Sequence, residues 1–121
     1  MDLAARYDPI IEQGSTFIRT FRWEDSDGTP KSLADYSIRM AIRGSFDSVE
    51  DIANSTDISP VIIITKPGDV GVFVVTISSE TTALFAFSRA VYDIEIFDVS
   101  VPPVVIRLFQ GSVALDREAT K

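Results

Sequence analysis

Tyr36-Ser37-Ile38-Arg39-Met40-Ala41-Ile42-Arg43 decides the fold, because its apolar and polar side chains alternate almost one for one. Successive side chains of a strand point to opposite faces. Tyr36, Ile38, Met40 and Ile42 therefore face a core, while Ser37, Arg39 and Arg43 face water. Period two over eight residues is the mark of a half-buried strand rather than of a helix.

Working toward the N-terminus, Glu24-Asp25-Ser26-Asp27-Gly28-Thr29-Pro30 is a turn, since Asp-Gly tolerates the positive φ that hairpins need. Before it, Ser15 to Trp23 is a strand with Phe17, Phe21 and Trp23 on one face and Ile18, Thr20 and Arg22 on the other. Arg19 falls on the aromatic face and breaks the alternation. Asp8 to Gly14 is a short edge strand, a place where the missing donor of Pro9 does no harm.

Toward the C-terminus, Gly44 to Ser59 is irregular. Asp47 with Glu50 resembles a capping box, so either a helical turn or a surface loop fits there. The β-branched run Val61 to Thr65 and the segment Val72 to Ser78 are strands, the second apolar on both faces as at the centre of a sheet. A turn over 66–71 separates them. Ser79 to Phe85 offers a serine cap and an early acid, hence one or two helical turns. Arg89 to Val99 places Tyr92, Ile94 and Ile96 inward with Asp93 and Glu95 outward; Pro102-Pro103 then breaks the chain, and Val104 to Phe109 and Gly111 to Leu115 complete the set. Short strands punctuated every 8–12 residues make a sandwich or barrel. The reading is all-β: an immunoglobulin-like antiparallel β-sandwich of about seven to eight strands with one or two short helical turns. It occupies 8–116, between an N-terminal arm (1–7) and a C-terminal tail (117–121).

Composition narrows function. The 121 residues include eight Phe and one Trp, enough large side chains for a core without staples. There is no Cys and no His, so thiolate zinc sites and Ser-His-Asp or Cys-His nucleophile systems are excluded. A net charge of −7 repels phosphate backbones, so no nucleic-acid partner is expected. The opening MDLAARYDP lacks the apolar core of a signal peptide, and no apolar run approaches the roughly 20 residues of a bilayer span, so no membrane partner is expected either. No cofactor, metal or catalytic residue is expected.

The order of features has a likeness. Glu12-Gln13-Gly14-Ser15-Thr16-Phe17, Phe21-Arg22-Trp23, then Asp27-Gly28-Thr29-Pro30 with Leu33 and Tyr36-Ser37-Ile38-Arg39-Met40 open it. Ile77-Ser78, Thr82-Ala83-Leu84, Val91-Tyr92-Asp93-Ile94-Glu95 and Arg107-Leu108-Phe109-Gln110-Gly111-Ser112-Val113 close it. From Asp8 to Asp116 the chain resembles small tailed-bacteriophage virion structural proteins and is similar to the N-terminal β-sandwich domain of baseplate upper proteins; its 44–59 stretch is longer than that pattern. The resemblance implies a non-enzymatic tail or baseplate adaptor that helps attach or organise fibres. Its partners would be other phage tail, baseplate or fibre subunits in an oligomeric arrangement. It would reside in the virion after a soluble period in the host cytoplasm. Alternatives are a capsid decoration or cement protein, and a carbohydrate-binding adhesion module using Phe17, Phe21 and Trp23.

Candidate partner contacts are Phe85, Phe87, Phe97 and Phe109, more aromatics than one interior holds, together with Tyr7 in an arm of the kind that drapes over neighbours. Asp93 and Glu95 share a strand face and invite comparison with a glycosidase pair; cross-strand pairing with Arg39, Arg43 or Arg107 is the simpler account. The acids of the Glu24–Gly28 turn fit a solvated hairpin better than a calcium loop.

Overall fold

The computed structural model describes residues 4–68 and 70–117 and is an all-β sandwich. Among the described residues nine strands occur in chain order: β1 (Ala5–Arg6), β2 (Ile10–Glu12), β3 (Phe17–Arg22), β4 (Ser37–Arg43), β5 (Ala53–Asn54), β6 (Ile62–Thr65), β7 (Val72–Ile77), β8 (Arg89–Phe97) and β9 (Val105–Asp116), with one helix, α1 (Ser79–Ala83), between β7 and β8. The long sheet runs β1-β9-β8-β4-β5, with β2 also on β9; the short sheet runs β3-β7-β6.

The ladders are antiparallel except where β1 and β2 pair with β9 in parallel. Pairing thus begins inside the stretch expected as an arm. Tyr7 donates its N–H to the Gln110 carbonyl (3.1 Å), and the Asp8 carboxylate takes the Ser112 N–H (2.9 Å). Gly111 has no Cβ because there is no room for one: it would strike the Tyr7 carbonyl and Asp8. The remainder of the two expected end segments, 1–3 and 118–121, and Asp69 of the expected turn lie outside the described residues. Arg117 donates to the Ala86 carbonyl at 2.8 Å.

Two readings change, and one left open is decided. The segments expected as two final strands are one, β9, whose register against β8 shifts between Ile94 and Glu95. That bulge turns Leu108 and Phe109 both toward the core, which erases the period-two signal there. Of the two forms open to the 44–59 stretch, the loop is the one observed, with the two-residue β5 in it. The cap of α1 is Ser78 rather than Ser79, its side chain accepting the Thr81 N–H.

The core between the sheets is filled from β3 (Phe17, Phe21), β7 (Phe73, Val75, Ile77), β4 (Met40, Ile42) and β8 (Tyr92, Ile94, Ile96). Phe109 crosses the gap to Phe21 (5.0 Å between ring centres) and Phe73 (6.4 Å). The irregular Arg19 lies over the Phe17 ring at 4.6 Å, so the alternation breaks at a cation–π contact.

Candidate functional site

The outer face of the long sheet carries a connected group of ion pairs. Arg39, Glu95 and Arg107 stand in one cross-strand row, and Ala41, Asp93 and Gln110 in the next. Arg39 Nε donates to Glu95 Oε1 at 2.9 Å and spreads its guanidinium over Phe97 at 4.8 Å. Arg43 Nε donates to Asp51 Oδ1 at 2.6 Å. Arg107 is shared: 3.7 Å from Asp93, 3.9 Å from Glu95, and donating to Gln110 Oε1 at 3.4 Å.

Because Ala41 is small and its neighbours Arg39 and Arg43 reach sideways to their own acids, the row between them sinks into a hollow of about 360 Å³. Asp93 lies in it. Burial first, and then the neighbouring Glu95, push its carboxyl above the ordinary value, against the pull of Arg107. Asp51 differs: burial pushes it up, but hydrogen bonds from Arg43 and Asn54 outweigh that and leave it below the ordinary value. The β8–β9 bulge brings Arg107 and Gln110 out on the same side and forms the far wall. Phe46, 56% exposed, stands at the near wall.

The aromatics expected at an interface scatter. Phe85 is buried at 7% exposure and belongs to the core, so it offers nothing to a partner; its carbonyl accepts from Gln13 Nε2 at 2.9 Å. Phe87 tilts against it at 5.3 Å. Phe97 is held under Arg39. Tyr7 and Phe109 meet at Phe21, and both line an open groove between the sheets with Arg22. The Phe17–Phe21–Trp23 platform does not form: Phe17 and Phe21 face the core, and Trp23 meets Tyr36 edge-on (86°) under Lys31. In the 24–28 turn Asp25 pairs with Lys31 and Asp27 takes the Thr29 N–H. Among the described residues no group of three acids converges as metal ligands would, and no helix is long and apolar enough to cross a membrane.

Exposed apolar side chains are most numerous on loops, Val49, Ile58, Leu84, Val99 and Val101 among them, but on the outer face of the short sheet they fall on a regular surface. Ile18, Thr76 and Ile63 form one cross-strand row, and Thr20, Val74 and Thr65 the next. Ile18 is 54% and Ile63 48% exposed, and Arg22, opposite Val72, is the one charged side chain on these strands' outward positions. Sequence reasoning had Ile18 on the non-aromatic face but sought the interface among phenylalanines. The β-branched run Val61–Ile64 was the available signal. No known protein-family model matches this chain, and no curated protein sequence matches it.

Proposed function

We propose that the chain is a non-enzymatic structural adaptor of a tailed-phage particle, in the tail or baseplate region, that helps attach or organise fibres. The observation that carries the reading is the outer face of the short sheet: rich in β-branched side chains and bearing one charged side chain, Arg22, on its outward strand positions, on a chain whose net charge is −7. An acidic protein stays soluble through its surface charge, and a sheet face left without carboxylates is where a neighbouring subunit can sit at little desolvation cost. The likeness to baseplate upper domains supports the same reading. Such an adaptor works by repeating a modest contact over many copies, so that avidity rather than a single tight interface holds the assembly.

The test is proteomic. Mass spectrometry of purified particles finds the wild-type chain at a fixed ratio to tail subunits. Ile18→Glu with Ile63→Glu, outward substitutions that leave the core intact, lowers incorporation at least tenfold while circular dichroism stays β. Particles lacking the wild-type chain, or carrying the double variant at full ratio, contradict it. A particle that loses the chain and keeps its tail and fibres, but has a fragile capsid, assigns it to decoration instead.

A further inference from the structure

The hollow on the opposite, long sheet has no part in the proposed assembly contact. Its floor is apolar, made by Ala41 and Val91, and the exposed Phe46 ring rises beside it. Its polar groups are of both kinds. Arg43 and Arg107 present donors, Gln110 presents a donor and an acceptor, and Asp93 presents only acceptors. Unlike Glu95 and Asp51 beside it, Asp93 receives no hydrogen bond on its carboxylate among the described residues, and Arg107 is 3.7 Å away. Arg43 and Arg107, by contrast, already have partners, in Asp51 and in Gln110.

That inventory selects a ligand class. A cation meets two guanidiniums around one carboxylate. An anion meets the Asp93 carboxylate in the lining. A neutral polyol escapes both, because each hydroxyl donates to Asp93 or accepts from an arginine, and the C–H face of a ring lies on Phe46 and the alanine–valine floor. A volume of about 360 Å³ is within the range of small-molecule sites. We propose that this hollow is a saccharide site for a neutral sugar, with Asp93 accepting from its hydroxyls and Phe46 stacking on its ring. The bulge in β9 is the device that builds it, since it sets Arg107 and Gln110 on one wall. The raised carboxyl of Asp93 accords with a group that gains from a hydroxyl donor. This proposal is independent of the assembly reading: its face, residues and readout are different.

The experiment is a titration of the whole chain followed by amide NMR, with glucose, galactose, rhamnose and N-acetylglucosamine as neutral probes, lysine methyl ester as a cationic probe and glucose 6-phosphate as an anionic one, each taken to tens of millimolar. At least one neutral sugar shifts the amides around Ala41, Phe46, Asp93 and Gln110, with an affinity well above that of both charged probes. Asp93→Asn weakens it about tenfold or more, as loss of a charge-assisted hydrogen bond does. Ala41→Leu, which fills the hollow and leaves every ion pair in place, abolishes the shifts. Thermal melts of both variants show that they remain folded. No response at these amides to any of the four sugars, tighter binding of a charged probe, or undiminished binding by Ala41→Leu overturns the proposal.

Discussion

Gly111 shows how a single atom can decide whether the N-terminal segment joins the sheet. The Tyr7 backbone and the Asp8 side chain lie where a Cβ would be, and through them β9 gains the Gln110–Tyr7 and Ser112–Asp8 hydrogen bonds. Gly111→Ala forces the segment off, and the expected cost is about 1–3 kcal/mol, in line with overpacked positions elsewhere. Thermal denaturation measures it, and hydrogen exchange locates the loss at the Ser112 amide. Asp93 calls for the opposite outcome. Its folded-state carboxyl is raised by burial, so at neutral pH the native state carries a charge it would rather lose. Asp93→Asn therefore leaves stability unchanged or raises it by less than about 1 kcal/mol, because the group is partly solvated and screened. A clear destabilisation at pH 7 would mean that Arg107 holds Asp93 more tightly than 3.7 Å implies.

At the scale of elements, α1 is five residues long and too short to stand on propensity. Thr82 fixes it. Its hydroxyl is wholly buried, donates to the Ser15 carbonyl at 2.8 Å and accepts the Gly14 N–H at 3.1 Å, tying the helix to the turn before β3. Thr82→Val keeps the shape and strands both backbone groups, at an expected cost of about 1–3 kcal/mol by chemical denaturation. Which elements the sequence revealed follows from the range of the forces that make them. β4 and β8 were legible because each alternates against a single core face, and the pairing of Asp93 and Glu95 with arginines followed from that. The continuity of β9 was not, because the bulge at Leu108 reverses the alternation in mid-strand. The parallel pairing of β1 and β2 with β9 joins residues about a hundred positions apart, and no local pattern encodes it. Nor could side-chain size tell Phe85, which is buried, from Ile18 and Ile63, which are exposed; burial there depends on which face meets the other sheet.

The whole molecule should be acid-labile. Backbone N–H donors hold Asp8 (from Ser112), Asp27 (from Thr29) and Asp98 (from Val104) below the ordinary 3.8. Their folded values lie below their unfolded ones, so their contribution is present above pH 3.8 and disappears as pH falls through the folded values. Asp93 acts the other way: its folded value is raised, so its penalty is relieved as pH falls toward 3.8. Three groups oppose one, and Asp51 joins the three. Melting temperature should hold from neutrality to about pH 5 and drop below about pH 4; a flat profile down to pH 3 would contradict the assignment. On the proposed reading the two sheets do different work: the short sheet's β-branched face would meet a neighbouring subunit and the long sheet's hollow a small ligand. The most direct check of that division is a cryo-electron-microscopy map of the assembled particle. The account predicts density for this chain in the tail or baseplate region with Ile18 and Ile63 covered by an adjoining subunit and the hollow at Asp93 open. A particle in which that face points to solvent, or in which the chain has no density, would contradict it.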